Sequence, residues 1–310
     1  MSTEHEKSPV VTIGRRELFE LGAAVGVALL AGSEASAQGG TVPSAGLAPL
    51  PATDGTAIEL LRMQADIRRA LQKPVEQRGW IMVVDGRKCV GCQACVVACV
   101  AENVLPPGVT YRAVPEIEYG SYPDVKKYPM PTQCMQCDKP PCLPAANAIA
   151  PRSISKRPDG IVAIDYTKFR GRAAFEAASK ACPYRALYYD DGSFYTQDTP
   201  ALQAYERTVG HDYNRHWVRE PGKAGEPPAG GGRKCHFCLQ RLNAGLVPAC
   251  VTTCIGRALY FGDKNDPQGL VNELLVKNPS KLLRIRENRG TEPRVYYLTD
   301  DPQFIAGFHA

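Results

Sequence analysis

Apolar residues recur with two different periods along this chain. Between Thr56 and Lys73, the residues Ile58, Leu61, Ile67 and Leu71 fall near helical spacing, which predicts an amphipathic helix stopped by Pro74. Elsewhere the apolar runs are short and rich in β-branched and aromatic residues. Trp80-Ile81-Met82-Val83-Val84-Asp85, Gly160-Ile161-Val162-Ala163-Ile164-Asp165, Ala186-Leu187-Tyr188-Tyr189 and Ala258-Leu259-Tyr260-Phe261 each read as a strand. Nearer the C-terminus the pattern predicts a helix near 269–277 and a strand at 294–298, with no membrane span in the tail. A unit of strand, cysteine loop, helix and strand repeats, and one such unit is too small to bury its own apolar face, so the units must pack on one another. The expected class is α+β. Residues 38–54, rich in Gly, Pro, Ala and Ser, have no period and read as a flexible leader. The stretches 105–131 and 190–232 are Pro/Gly/Tyr-rich; the second ends in the Gly/Pro-rich run 221–232 and reads as a loop or partner-facing insertion.

One further apolar run changes the picture of where the protein works. Leu21 to Ala31 is apolar for eleven residues, is preceded by Gly14-Arg15-Arg16-Glu17-Leu18-Phe19-Glu20 and is followed by Ala35-Ser36-Ala37, an A-x-A cleavage pattern. The run is short of the roughly 20 residues that cross a bilayer. The segment 1–37 reads as a twin-arginine signal, with Leu18-Phe19-Glu20 departing from the commoner Phe-Leu-Lys, and the expected location is the periplasm. Such export carries proteins already folded around their cofactors, which counts against cysteines awaiting oxidation to disulfides.

At 310 residues, 44% apolar and 22% charged, the chain is globular and long enough for one large or two ordinary domains. Its twelve cysteines are even in number and clustered, so they ask for partners, in each other or in metal. Cys89-x2-Cys92-x2-Cys95-x3-Cys99 has the spacing of the bacterial ferredoxin run, in which three thiolates grip one 4Fe-4S cube and the fourth serves a neighbouring cube. Zinc sites more often pair one C-x2-C with a distant second pair, yet a zinc knot or half a disulfide framework remains a reading of these four residues alone. Cys235-x2-Cys238-x11-Cys250-x3-Cys254 keeps the same start and finish with a stretched middle, while Cys134-x2-Cys137-x4-Cys142 offers three ligands and Cys182 stands alone before Pro183. His236, inside the Cys235-x2-Cys238 step, reads as a polar neighbour of the sulfurs, because the cysteine count already closes. Tyr111, Tyr119, Tyr122 and Tyr128 read as interface or packing aromatics. No C-x-x-C-H haem site, Ser/His/Asp constellation, phosphate-cradling loop or paired-carboxylate site stands out, so no catalytic centre of its own is expected.

Net charge refines the cofactor reading. Without residues 1–37 the chain keeps 34 basic and 27 acidic residues, a balance of +7. Such an excess can serve nucleic acid or an anionic membrane surface, but each cube with four thiolates carries about −2 when oxidised. Three cubes nearly cancel the excess, so no nucleic-acid partner is expected. Arg87-Lys88 and Arg233-Lys234, each directly before a cysteine group, are the candidates for this compensation.

Over residues 79–265 the four cysteine groups resemble the iron–sulfur electron-transfer subunit of the molybdopterin oxidoreductases, the four-cluster ferredoxin family of dimethyl sulfoxide, tetrathionate, polysulfide and related reductases. In that family groups I and IV share two clusters, and groups II and III share two more. The resemblance implies that Cys89, Cys92, Cys95 and Cys254 hold one cube, that Cys235, Cys238, Cys250 and Cys99 hold a second, and that Cys134, Cys137, Cys142 and Cys182 hold a third. The family's other four ligands fall on Ala146, Arg172, Phe175 and Ala178, so a whole fourth cluster is expected to be missing. The implied fold is a set of nested dicluster ferredoxin-like modules with long loop insertions. Residues 38–78 are the leader and amphipathic helix, 79–127 and 191–265 an outer module (groups I and IV), 128–190 an inner module (II and III), and 266–310 a C-terminal extension. The implied partners are a molybdopterin catalytic subunit and a membrane quinone-reactive anchor subunit. A stand-alone periplasmic polyferredoxin and a zinc-binding structural protein are the alternatives.

Overall fold

The computed structural model describes residues 59–103, 105–191, 230–301 and 303. The twin-arginine segment, the leader and most of the 190–232 insertion lie outside the described residues. Helix α1 (Glu59–Leu71) opens the described chain and ends before Pro74, as its period predicts. Its buried face is Met63, Ile67 and Ala70; seating Met63 and Ile67 contributes about 1.5–3 kcal/mol each. That face rests on a four-stranded sheet in the order β10 (Leu259–Asp263), β1 (Trp80–Asp85), β12 (Val295–Leu298) and β11 (Leu282–Leu283).

Strand β1 (Trp80–Asp85) is the centre of this sheet and is buried along its whole length, which explains why its sequence runs apolar rather than alternating. It pairs antiparallel with β10 (Leu259–Asp263), Trp80 opposite Asp263 and Val84 opposite Leu259, and parallel with β12 (Val295–Leu298), Met82 opposite Val295. Strand β11 (Leu282–Leu283) closes the far edge antiparallel to β12. Helix α7 (Leu270–Lys277) packs on the sheet beside α1. Its Val271 lies so close to Gly262 that a Cβ there would come within 2.9 Å of the valine methyl.

Between β1 and β10 the chain lays down the cysteine groups. Helix α2 (Ala94–Asn103) carries the end of group I. The stretch 105–131 is not a plain connection: β2 (Arg112–Ala113) pairs with β5 (Thr132–Gln133), and inside them β3 (Glu116–Tyr119) forms a hairpin with β4 (Lys126–Pro129). The alternation Glu116-Ile117-Glu118-Tyr119 sits in a Pro/Gly-rich context that masks it, and the pairing is secured by cross-strand stacking of Tyr119 on Tyr128, ring centroids 6.0 Å apart. Tyr111 and Tyr119 are thus packing residues, while Tyr122 at the hairpin tip is exposed.

A second core lies under helices α3 (Cys142–Asn147) and α4 (Arg172–Ala181) and the hairpin of β6 (Ile154–Lys156) with β7 (Val162–Ile164). Asn147 ties α3 to β6: its side-chain oxygen accepts the Ser153 and Ile154 amides at 2.9 and 3.0 Å. Strand β8 covers Tyr188–Asp190, two residues later than the apolar run 186–189 predicts, because the amide of Ala186 turns inward onto the Cys182 sulfur. It pairs with β9 (Gly231–Arg233), directly before the last cysteine group. Helices α5 (Leu239–Asn243) and α6 (Ala249–Thr252) lie between the cysteines of that group. No helix among the described residues is long and apolar enough to cross a membrane.

Candidate iron–sulfur sites

All twelve cysteines are free thiols, and of these Cys92 alone is exposed. They fall into three neighbourhoods of four. Cys89, Cys92, Cys95 and Cys254 line one pocket, with about 330 Å³ of empty space open to solvent. The pocket exists because the turn after Cys254 presses on the start of group I: a Cβ at Gly256 would collide with the Lys88 carbonyl oxygen. Burial pushes the Cys95 thiol up to about 11, assisted by the nearby Cys250, Cys254 and Cys89 thiols and opposed by the Arg112 charge.

The second neighbourhood is deeper. Burial raises the Cys99 thiol far above its ordinary range, and the adjoining Cys235, Cys250 and Cys238 sulfurs add to it. Asn103, one turn after Cys99 on α2, donates from Nδ2 to the Cys99 sulfur at 3.5 Å and reaches the Cys238 sulfur at 3.9 Å. It joins the last cysteine of group I to group IV. The Phe237 amide donates to the Cys235 sulfur at 3.4 Å. Burial, with the Cys134 thiol next, pushes Cys235 up to about 12.

The third comprises Cys134, Cys137, Cys142 and Cys182. Burial pushes Cys137 and Cys142 each up to about 12, and neighbouring thiols of the same four add to the rise. Cys182 caps α4, and the amides of Ala186, Tyr184 and Arg185 turn toward its sulfur. Of the four positions where the resemblance implies lost ligands, Ala146, Phe175 and Ala178 meet in the second core instead, and Arg172 is exposed at its edge. Ala146 and Ala178 are fully buried, Phe175 packs against them, and Arg172 stacks over Tyr189 at 4.4 Å. Two small residues let α3 and α4 approach, so close packing occupies the space rather than a void.

The donor set fits iron–sulfur cubes. A structural zinc needs its sulfurs at about 2.3 Å from one centre, whereas a cube spreads four thiolates over four irons. A buried charge points the same way. Arg112 on β2 is fully buried, bonds the Met82 sulfur at 3.0 Å through Nη2, and leaves Nη1 without a partner. Burial pulls this guanidinium down, yet the Cys250, Cys95 and Cys235 thiols and the Tyr297 hydroxyl outweigh it and hold it above its ordinary value. A buried cation needs an anion, and thiolates bound to iron supply one.

The charges expected to compensate the clusters are distributed differently from their sequence order. Arg87 bonds Asp85 at 2.8 Å, Lys88 faces Glu59 and Tyr260, and Arg233 is clamped to Asp190 at 2.9 Å, so these three serve carboxylates. Lys234 alone of the four stands among sulfurs, favouring ionisation of Cys142 and Cys235. Arg112 escaped the sequence reading because no cysteine adjoins it along the chain; strand pairing brings it opposite Gln133, next to Cys134. His236 accepts the Leu239 amide on Nδ1 at 3.0 Å and so starts α5.

A family model described as a 4Fe-4S dicluster domain matches residues 125–199 and 226–264. The chain is 48% identical to a selenate reductase subunit of Mesobacillus selenatarsenatis, over 86% of its own length and 86% of that relative. It is 30% identical to a tetrathionate reductase subunit of Salmonella typhimurium, covering 73% of this chain and 74% of the relative. With a polysulfide reductase component of Wolinella succinogenes the identity is 32% over 70% of this chain and 92% of the relative.

Proposed function

We propose, from the premise that this chain belongs to the iron–sulfur subunits of the molybdopterin-type reductases, that it relays electrons through three 4Fe-4S clusters between a molybdopterin catalytic subunit and a membrane quinone-reactive subunit. The observation that carries this reading is the gathering of twelve free thiols into three fours: Cys89, Cys92, Cys95 and Cys254; Cys99, Cys235, Cys238 and Cys250; Cys134, Cys137, Cys142 and Cys182. When bound, each cube supplies one-electron redox chemistry. The chain's own residues do the rest. The thiolates hold iron, the Phe237 amide and Asn103 bond the sulfurs and favour the more negative state, and the surrounding core excludes water. Closeness of Cys95 to Cys250 and of Cys235 to Cys134 supports an order in which the second site lies between the first and the third. The reduced compound is then chosen by the catalytic partner, as the relatives named for selenate, tetrathionate and polysulfide suggest.

The same reading makes 79–127 with 191–265 an outer module and 128–190 an inner one. Pairing of β1 with β10 across the inner segment supports it, as does the separate core of α3 and α4. Work in the periplasm rests on Arg15-Arg16 and the short apolar run after them.

Iron and acid-labile sulfide analysis of the anaerobically purified native protein tests the central claim. Three cubes give about 12 Fe and 12 sulfide per chain. A value near 8 removes the third site, one near 16 restores the fourth, and a colourless protein with stoichiometric zinc replaces electron transfer by a structural role. For export, changing Arg15 and Arg16 together to Lys is expected to strand the precursor in the cytoplasm. Normal accumulation of that variant in the periplasm refutes the twin-arginine assignment.

A further inference from the structure

We infer that Arg112 and Lys234 are two interleaved counter-cations, one between the first and second cluster sites and one between the second and third, each setting the reduction potentials of the two sites it touches. The inference rests on the cluster assignment above and goes beyond it. Arg112 faces Cys95 of the first site and Cys235 and Cys250 of the second. Lys234 faces Cys235 of the second and Cys142 of the third. Both side chains are buried, 2% and 1% exposed, in positions where a full charge is costly without an anion.

Neither has a carboxylate among the described residues. Lys234 Nζ donates only to carbonyl oxygens, of Cys235 at 3.0 Å and of Val162. Arg112 donates to the Met82 sulfur and keeps Nη1 unpartnered, although the neighbouring Gln133 also spends its amide on Met82, at 3.2 Å, and leaves its own oxygen unpaired. Arg87, Lys88 and Arg233 are held by Asp85, Glu59 and Asp190, and Lys156, beside Cys137, is held by Asp138 at 3.1 Å. Those charges are neutralised locally, whereas the fields of Arg112 and Lys234 have sulfur ligands as their nearest anions.

A fixed cation favours whichever state of its neighbour is more negative. Addition of one electron makes a site one unit more negative, so each cation raises the potential of both sites it touches. It also offsets the repulsion that an electron on one site exerts on the next. In a low-dielectric interior these effects are larger than at the surface. Arg112 has a guanidinium whose charge persists at all physiological pH values, so its contribution does not depend on pH.

The test uses the full chain with its clusters, purified anaerobically, in redox titrations followed by electron paramagnetic resonance, with iron content measured in parallel. Arg112→Met is expected to lower the potentials of the first and second sites by at least tenfold in the reduced-to-oxidised ratio at fixed potential, about 59 mV for one electron, and to leave the third unchanged. Lys234→Met is expected to lower the second and third and leave the first. Arg112→Lys and Lys234→Arg restore the wild-type values. Should a methionine variant assemble incompletely, loss confined to the two sites it touches and restored by the charge-conserving variant supports the same conclusion. Unchanged potentials, an equal shift at all three sites, or a loss that the charge-conserving variant does not restore overturns it. A wild-type chain lacking three cluster signals fails the cluster assignment itself, which separates the two claims.

Discussion

Cys182→Ser is expected to convert the third cluster to a three-iron form or abolish it, dropping iron from about 12 to about 8–11 per chain, while the signals of the other two sites persist. The effect is local although Cys182 lies forty residues beyond Cys142 in sequence. Cys182 ends α4, and three amides, of Ala186, Tyr184 and Arg185, turn toward its sulfur. Burial raises this thiol and the three amides work against that rise, as donors to a ligating sulfur do. Serine keeps the size but offers a harder, more basic oxygen in place of the thiolate. Ala146→Cys gives the complementary result: no fourth cluster, because Arg172, Phe175 and Ala178 still occupy the positions of the remaining ligands. Its added sulfur meets the fully buried seam of α3 and α4 and is expected to cost about 1–3 kcal/mol. Unchanged iron and unchanged spectra in Cys182→Ser would sink the third site as drawn.

Asp190→Asn has the largest expected effect on stability. Asp190 and Arg233 are both completely buried, with Nη1 to Oδ2 at 2.9 Å, and the pair fastens the end of β8 to β9 just before Lys234 and Cys235. Arg233 also donates to the Tyr111 hydroxyl at 2.9 Å and to the Asn103 carbonyl at 3.2 Å, so the same guanidinium supports the residue that bridges Cys99 and Cys238. Removing one member of a buried ion pair leaves the other uncompensated and costs about 3–5 kcal/mol, a large share of the roughly 5–15 kcal/mol that holds a typical domain. The urea midpoint of the holoprotein, read by loss of the cluster absorbance, is expected to fall sharply. The double variant Asp190→Leu/Arg233→Met is expected to recover part of the loss, since two apolar groups leave no buried charge. A single variant as stable as wild type would mean that Arg233 is balanced by other groups.

The spacing of Cys89, Cys92, Cys95 and Cys99 is a local property of a tight loop running into a helix, so it pointed to iron–sulfur ligation without any fold. Strand β1 was legible because six residues buried on both faces must be apolar almost throughout, and α1 because its apolar face repeats with the helical period before a proline. The paired absence of thiols at Ala146, Arg172, Phe175 and Ala178 was visible too, once the family spacing was laid over the chain.

What required the tertiary structure is whatever depends on contacts between distant segments. The parallel pairing of β1 with β12 and the hairpin of β3 with β4 have weak local signals, because strand partners are chosen by the packing of whole faces rather than by the strands' own residues. The charges show the same division. Basic residues close to cysteines in sequence turn to carboxylates, Arg87 to Asp85 just before it, Lys88 to Glu59 on α1 and Arg233 to Asp190 on β8, while Arg112, remote in sequence, is carried among three thiols by the pairing of β2 with β5. Thiol spacing is set along the backbone and survives in the sequence; electrostatic environment falls off with distance through space, and only the folded chain decides which charges are near.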